Sequence, residues 1–301
     1  MANRAVTYTI DMKTQYLGNS PDAALQIAKQ LYPKSYEFSI LHDGQENLVI
    51  VVDNAYSIRF PRSKTVWRQG LSERAVLGEL SGTELPIPQL LSISEEPAYI
   101  ITSYLKGNHL DATQVRQAPE HIQRRIGEEL ARFAYTFHTD LPVEIIRPLL
   151  TPPSWSYDDY LKRELQKKTN ANPTIDALAK RYYDAWIHAE KPKEVIVHDD
   201  LHTGNILFDD AYHLVGVLDF GAVCLGSPEQ DLRQTYRLGD EIFEAAASTY
   251  EQLSGQPFNR ELAKLWTITQ ELASYCREDS ETVHKRAFDN LRFWFPEIGN
   301  A

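Results

Sequence analysis

The chain has 301 residues, 43% hydrophobic and 24% charged, which is long enough for two lobes with separate cores. Its formal net charge of -11 argues against a nucleic-acid partner. The longest apolar run, 48–52, is too short to span a bilayer, and the first residues lack the apolar core of a signal peptide. Cys224 and Cys276 are the only cysteines, so a disulfide framework is not indicated. We therefore expect a cytoplasmic monomer that binds neither nucleic acid nor membrane.

The acidic excess is unevenly distributed along the chain. Residues 1–105 contain 9 Lys and Arg against 11 Asp and Glu, whereas the remainder contains 22 against 31. A solvated acidic surface is the ordinary explanation, because soluble proteins often carry a negative charge. A cationic substrate bound by the second part is the sharper alternative.

The first hundred residues read mainly as strands around one or two helices. Periodicity predicts helices at 21–31 and 66–80. Runs of β-branched and aromatic residues predict strands at 36–41, 48–52, 56–60, 89–93 and 98–103. After Gly107 the pattern becomes helical, with predicted helices at 122–137, 157–168, 175–189, 232–253 and 260–276. One predicted hairpin, 206–218, interrupts these helices.

The most informative motif begins at His198 and ends at Asn205, and Asp219-Phe220-Gly221 follows it. The order and spacing match the protein-kinase catalytic loop H-R-D-x-x-x-x-N and its D-F-G. Asp200 would accept the hydroxyl hydrogen of an acceptor that attacks a γ-phosphate. Asn205 and Asp219 supply the oxygen ligands that suit Mg²⁺ bound to nucleotide phosphates. The pattern therefore indicates a phosphoryl-transfer site.

Each half of this motif has an ordinary explanation when it is taken alone. His-x-Asp is common in solvated turns, and Asp-Phe-Gly often ends a strand. However, strands at 206–208 and 214–218, joined by a turn at 209–213, would bring Asn205 and Asp219 together at the open end of a hairpin.

Because the predicted strands come first and the helices follow, we predict an α+β, bilobal, protein kinase-like fold. Its β-rich nucleotide-binding lobe would span 1–105, and its helical lobe with catalytic loop and acceptor site 106–301.

The candidate nucleotide-binding residues precede the motif. The turn that would cover the phosphates has a single glycine, Gly44, and could be an ordinary hairpin turn. Arg59 stands where the kinase template has a phosphate-binding Lys, and Glu73 follows on the next helix to orient it. The alternatives are a surface Arg and a local helix pair. The backbone of Ser103, Tyr104 and Leu105 occupies the hinge position that would meet a purine.

The motif segments together resemble the aminoglycoside phosphotransferase and choline kinase-like family. The resemblance rests on 198–207, 216–221 and 226–232, and more weakly on 58–62 and 85–88. It implies ATP or GTP as phosphate donor, Mg²⁺ as cofactor and a hydroxyl of a small molecule as acceptor. It also implies that Asp231 braces the catalytic loop.

Within that family the chain is most similar to the aminoglycoside 2″-phosphotransferases, which makes an aminoglycoside the leading acceptor. The resemblance implies that Asp240, Glu241 and Glu244 bind drug amines and that Trp266 forms a pocket wall. For the three acidic residues the alternative is a solvated helix face, and for Trp266 it is a core residue in helix packing.

Ala222 departs from the family, which places Asp directly after D-F-G. Other acceptors (a macrolide, a choline-like amine, a sugar or an amino alcohol), a catalytically silent nucleotide-binding regulator and a scaffold without nucleotide remain alternatives.

Overall fold

The computed structural model describes residues 15–41, 46–147, 157–166, 172–192, 195–277 and 281–299. The chain divides into two compact units, residues 1–106 and 107–301. The nucleotide and acceptor roles given to the two lobes stay predictions. None of the described helices combines the length and apolar character that a membrane span needs.

The first unit is rich in strands, as predicted. Its helices and strands are α1 Pro21–Leu31, β1 Phe38–Leu41, β2 Asn47–Val52, β3 Tyr56–Pro61, α2 Lys64–Gln69, α3 Leu71–Glu79, β4 Leu90–Glu95 and β5 Ala98–Ser103. The described strands form one antiparallel sheet in the order β1-β2-β3-β5-β4. This order places Arg59 on a central strand, opposite Val49 on one side and Ile100 on the other.

The core of this unit follows from the two-residue period of β2. Leu48, Ile50 and Val52 are buried on one face of the sheet, where they pack with Ala24 and Ala28 of α1. The small alanine side chains let the helix lie close to the sheet. The sheet is therefore fixed by its buried apolar face.

The helix predicted at 66–80 is wrong as a single element, because the structure divides it into α2 and α3 at Gly70. Ser63 caps α2 by accepting a hydrogen bond from the Val66 amide at 3.3 Å. Arg74 of α3 donates to the Trp67 carbonyl at 3.0 Å, and its guanidinium lies 3.9 Å from the centre of the Trp67 ring. These contacts fix the angle between the two helices.

The second unit is mainly helical. Its elements are α4 Ala112–Gln117, α5 Glu120–Asp140, α6 Val143–Ile146, α7 Tyr157–Gln166, α8 Pro173–His188, β6 Val195–Val197, β7 Ile206–Phe208, β8 Leu214–Val217, β9 Cys224–Gly226, α9 Pro228–Leu232, α10 Asp240–Ser254, α11 Arg260–Tyr275 and α12 Glu281–Trp294. Strand β6 pairs antiparallel with β9, and β7 pairs antiparallel with β8. The predicted hairpin is therefore present.

Two helical features of this unit differ from the prediction. The helix predicted at 232–253 is instead α9, a 3-10 turn at Arg233–Arg237 and α10, separated at Gly239. Gly239 has a φ of 132°, which only glycine adopts readily, so the helix must stop there. Helix α12 is not among the predicted helices. Its buried stripe contains Asn290 between Ala287 and Leu291, which interrupts the apolar period.

Helices α5 and α10 of the second unit pack closely against each other. A Cβ atom on Gly127 of α5 would overlap the Ile242 carbonyl oxygen of α10 and lie 3.0 Å from the Ala245 Cβ. Ala131, Ala134 and Ala246 lie in the same buried cluster, which extends this contact with small side chains. The sequence thus allows the two helix backbones to approach at Gly127.

We expect Gly127→Ala to lower the free energy of unfolding by about 1–3 kcal/mol, because the added methyl group overpacks a contact made by backbone atoms. Gly78→Ala is the matched control. It lies within α3 with no atom within 4 Å of the new Cβ, and we expect it to add about 0.5–1 kcal/mol. Urea unfolding of both variants measures the difference. Equal stability of the two variants would contradict the close approach.

Candidate active site

Asp200 and Asn205 are brought together by the loop between β6 and β7. The Asn205 side-chain nitrogen donates to the Asp200 carbonyl and to the Asp200 carboxylate Oδ2, each at 3.0 Å. The amide oxygen of Asn205 is then the atom that can bind a metal ion. Asp200 keeps a partly exposed carboxylate, whereas Asn205 is buried. The loop therefore holds a carboxylate in a fixed position while leaving it accessible.

The open end of the β7–β8 hairpin places Asp219 beside this pair. Ile206 pairs with Val217, and the Leu218 amide donates to the Asn205 carbonyl at 2.8 Å. The chain then turns at Asp219, which has the left-handed backbone angles φ 63° and ψ 76°. Its carboxylate accepts a hydrogen bond from the Gly221 amide at 3.3 Å. Aspartate tolerates this backbone conformation better than most residues, because its side chain can accept such local bonds.

His198 connects the catalytic loop to the strand that precedes Asp219. Its Nε2 lies 3.0 Å from the Leu218 carbonyl oxygen, to which it must donate. Its Nδ1 accepts a hydrogen bond from the Asp200 amide at 3.3 Å. The ring is fully buried and lies edge-on against Phe220, with 4.7 Å between the ring centres. His198 therefore fixes the position of the catalytic loop relative to the segment that carries Asp219, and Phe220 packs against its ring.

Asp231 braces the loop, as the resemblance implies. Its fully buried carboxylate accepts hydrogen bonds from the amides of His198 at 2.9 Å and Asp199 at 2.6 Å. A third bond links Asp231 to Nε2 of His138 at 2.9 Å. Burial raises the pKa of Asp231, but the hydrogen bonds from His138 and from the His198 amide outweigh it and hold the pKa below its usual value.

The brace continues beyond Asp231 to residues that the sequence analysis missed. Because an ionised carboxylate only accepts, Nε2 of His138 carries the hydrogen, and Nδ1 faces the Tyr250 hydroxyl at 2.9 Å. Burial raises the pKa of Tyr250, so its hydroxyl keeps the hydrogen that it can donate to Nδ1. His138 ends α5 and Tyr250 lies on α10, so no local sequence signal links either residue to the loop.

Asp199 forms a second anchor of the loop. Arg233 pairs with its carboxylate at 3.0 Å and also donates to its carbonyl at 2.9 Å, and Gln230 donates to the same carboxylate at 2.8 Å. Burial raises the pKa of Asp199, and the Arg233 charge opposes that shift. Arg233 and Gln230 were also missed. Both follow the strand that pairs with β6, which explains how they reach the loop.

In the first unit, Arg59 and Glu73 form the predicted pair. The Arg59 guanidinium lies 2.9 Å from the Glu73 carboxylate, and both side chains are largely buried. The predicted Gly44 lies outside the described residues. Of the three predicted hinge residues, the Ser103 amide donates to the Gln89 carbonyl and the Tyr104 amide to the Ala55 carbonyl. These bonds engage two of the three amides, and the hinge role of Ser103, Tyr104 and Leu105 stays a prediction.

The predicted acceptor residues have other partners within the second unit. Glu241 pairs with Arg124 at 3.0 Å, and Glu244 pairs with Arg260 at 2.8 Å. Both glutamates line a depression of about 270 Å³ between α5 and α10. Asp240 is exposed at the first position of α10. This arrangement favours the alternative of a charged helix face.

Trp266 lies where a core residue in helix packing would lie, which was the alternative to a pocket wall. It is 5% exposed and packs edge-on against Trp186, with 4.8 Å between the ring centres, in a cluster with Leu161 and Leu262. An apolar ring in such a cluster supports helix packing between α7, α8 and α11. The expected role of Trp266 as a pocket wall therefore lacks support.

The residues at the hairpin end fit a magnesium ion. No group of three or more His, Cys, Asp or Glu side chains suited to a metal occurs in the described part of the chain. Mg²⁺ is usually held by one or two carboxylates, substrate phosphates and water, so it does not need such a group. The Asn205 amide oxygen and the Asp219 carboxylate, at one end of the hairpin, are a suitable donor set.

We expect Asp231→Asn to lower the free energy of unfolding near neutral pH by roughly 3 kcal/mol, because the amide replaces an ionised carboxylate that accepts three buried hydrogen bonds, and its NH₂ group cannot accept. The folded-state pKa of Asp231 lies below the unfolded value. Its stabilisation is therefore complete above about pH 4 and is lost as the pH falls through the folded pKa. Unfolding curves between pH 2 and 7 should show the two proteins converging in acid. Asp184→Asn, an exposed change of the same charge on α8, is the control, and a pH-independent gap for Asp231→Asn would refute the expectation.

The model of the phosphotransferase enzyme family, APH, matches residues 37–266. No curated protein sequence is significantly similar to the chain.

Several solved structures share the fold. The GDP complex of wild-type aminoglycoside 2'-phosphotransferase-IIIa is 15% identical, with a TM-score of 0.70, covering 90% of this chain and 97% of that one. The streptomycin–ATP complex of APH(2″)-IIa is 16% identical, with a TM-score of 0.63 and 92% and 98% covered. Macrolide 2'-phosphotransferase MphH from Brachybacterium faecium is 18% identical, with a TM-score of 0.63 and 90% and 98% covered. The predicted kinase-like α+β fold and enzyme class are confirmed, and the chain belongs to the phosphotransferase enzyme family.

Proposed function

We propose that this protein is a kinase that transfers the γ-phosphoryl group of ATP or GTP, with Mg²⁺, to a hydroxyl group of a small molecule. The observation that carries the proposal is the hydrogen-bonded Asp200–Asn205 pair at the end of the hairpin that also bears Asp219. These are the base and the two oxygen donors of the phosphoryl-transfer template, in the order that the template requires.

The nucleotide donor is supported by the related structures, which were solved with GDP and with ATP. In this chain, the Arg59 guanidinium is the group proposed to bind nucleotide phosphates. Glu73 holds it at 2.9 Å, as a helix carboxylate holds the phosphate-binding Lys of protein kinases. A guanidinium offers two parallel donors to a phosphate where an ammonium offers a point charge.

The chemistry proposed for the loop is a direct displacement at phosphorus. The acceptor oxygen forms a bond to the γ-phosphorus, the bond to the bridging β–γ oxygen breaks, and the acceptor proton passes to the Asp200 carboxylate. Asn205 holds that carboxylate by its hydrogen bond at 3.0 Å. A bound Mg²⁺ would neutralise the developing phosphate charge, and Asn205 and Asp219 would hold it.

The acceptor is the least constrained part of the proposal. An aminoglycoside is the predicted acceptor, and one related structure was solved with streptomycin. Against it stand Ala222, in place of the family's Asp, and the pairing of Glu241 and Glu244 with arginines. Another structure of the same fold is a macrolide phosphotransferase. The proposed acceptor is therefore a small molecule with a hydroxyl group.

We expect Asp200→Asn to lower kcat by about 10²–10⁴ while leaving nucleotide affinity nearly unchanged, because it removes the group that accepts the proton. Steady-state nucleoside-diphosphate release across aminoglycosides, macrolides and amino alcohols gives kcat, and calorimetry gives affinity. Asp140→Asn, an exposed residue at the end of α5, is the control. Turnover by Asp200→Asn within a few-fold of the unmodified protein would overturn the assignment. Nucleotide binding with no turnover on any acceptor would favour a silent regulator.

We expect Asp219→Ala and Asn205→Ala each to weaken nucleotide binding in the presence of Mg²⁺, because each removes a direct oxygen ligand. Titration of ATP and GTP with and without Mg²⁺ separates the metal contribution from the rest. Asp209→Ala, in the turn at the other end of the hairpin, serves as the matched control. If the effect of Mg²⁺ is the same in all three variants and the unmodified protein, the metal is bound elsewhere.

A further inference from the structure

A group of arginine side chains in the helical unit has no part in the proposed phosphoryl transfer. Arg237, at the end of the 3-10 turn, pairs with Glu271 of α11 through Nη2 at 2.5 Å and through Nε at 2.6 Å. The Glu271 side chain is fully buried, whereas that of Arg237 is 15% exposed. The carboxylate therefore anchors the guanidinium from the inside and leaves part of it at the surface.

Two further contacts join this pair to α4 and α12. Arg116 of α4 donates to the Arg237 carbonyl and, at 3.1 Å, to the Asn290 side-chain oxygen. The Asn290 nitrogen donates to the second oxygen of Glu271 at 3.3 Å. Four elements thus hold one polar network, which makes the position of Arg237 rigid.

Arg286 extends the same surface. It lies four residues before Asn290 on α12, so the two side chains share one face of the helix. Arg286 is exposed and forms no ion pair with another described residue. It is therefore a cation beside an anchored network, with its charge available to a ligand.

The charges of this network differ from those of the whole chain. Arg116 and Arg237 lie around the buried carboxylate of Glu271, with Asp111 also near Arg116, and Arg286 adds a positive charge one helical turn from Asn290. The formal net charge of the whole chain is -11. The network also lies close to the catalytic loop, because Arg237 belongs to the same 3-10 turn as Arg233, which pairs with Asp199 at 3.0 Å. Burial lowers the pKa of His202, and the charges of Arg237 and Arg286 lower it further, against the opposing effect of Asp200. His202 in turn lies 3.5 Å from the Asp200 carboxylate.

We propose that Arg286, together with Arg237, binds an acidic group, carboxylate or phosphate, of the acceptor whose hydroxyl reacts at Asp200. Guanidinium groups suit this task because their parallel N–H groups match the oxygens of both kinds of anion. An acidic acceptor fits the paired state of Glu241 and Glu244 as well, since neither needs a cationic ligand for charge balance. This inference rests on the proposed kinase function and names the substrate class.

The test uses the full-length protein with ATP or GTP, Mg²⁺ and acceptors in matched pairs. The pairs differ by one acidic group: glycerol with glycerate and with glycerol phosphate, ethanolamine with serine, and a hexose with its uronate and its phosphate. Aminoglycosides form the cationic arm. The readouts are acceptor-dependent nucleoside-diphosphate release and calorimetric binding of each compound to the nucleotide-loaded protein. The carboxylate and phosphate arms show which anion the site prefers.

Three variants test whether the charge of Arg286 itself contributes to acceptor binding. We expect Arg286→Glu to lower kcat/KM for the preferred acidic acceptor by more than tenfold, mainly through KM, because a charge-assisted contact is replaced by repulsion. Arg286→Lys should restore most of the loss, and KM should rise with salt. Lys285→Glu makes the same charge change one position along α12 and should leave kcat/KM within twofold. Nucleotide binding should be unchanged in all three variants.

The outcomes separate this inference from the proposed function. Preference for acidic acceptors that Arg286→Glu abolishes supports both. Preference for aminoglycosides or neutral compounds, or a loss equal in Arg286→Glu and Lys285→Glu, overturns the acidic site and leaves the kinase standing. Failure to bind or turn over any acidic compound, with Mg²⁺-dependent nucleotide binding intact, overturns it as well. Absence of nucleotide binding would instead remove the proposed function.

Discussion

The buried carboxylate of Asp231 holds in place the loop on which the candidate site depends. It accepts the amide hydrogens of His198 and Asp199, the two residues before the proposed base, and it has no solvent exposure. An amide left unpaired at that depth would cost about 1–3 kcal/mol, so the loop has little freedom to choose another path. His198 then transmits this fixed position to Asp200 on one side and to the strand before Asp219 on the other. One carboxylate thus sets the position of Asp200, the proposed proton acceptor, relative to Asn205 and Asp219, the proposed metal ligands.

Local spacing explains why the centre of this site could be predicted from the sequence. Asp200, Asn205 and Asp219 lie within one loop and one hairpin, so the turn chemistry between them dictates their approach. The strand-rich beginning and helical remainder were predictable for a similar reason, because both periods are local. The helix breaks at Gly70 and Gly239 were missed, since a glycine inside a helical period does not always end the helix.

Long-range partners explain the rest. His138 reaches Asp231 across 93 residues, and Tyr250 reaches His138 across 112, so the packing of α5 against α9 and α10 brings them together. The ion pair of Glu241 with Arg124 depends on the packing of α5 against α10, and that of Glu244 with Arg260 depends on the packing of α10 against α11. For this reason an acidic stretch of sequence was a poor guide to acceptor charge. The charge that an acceptor meets depends on which side chains the fold has already paired.

The absence of a side chain at Gly127 has a consequence for the reacting groups themselves. Gly127 and His138 lie on the same helix, 11 residues and therefore about 16 Å apart, and the helix opposite carries Tyr250. The hydrogen bond between His138 and Tyr250 thus depends on how closely the two helix backbones approach at Gly127. A substitution at that contact would change the geometry of the loop without altering any residue within it. A larger side chain at position 127 would move the two helices apart and, with them, the His138–Tyr250 end of the brace.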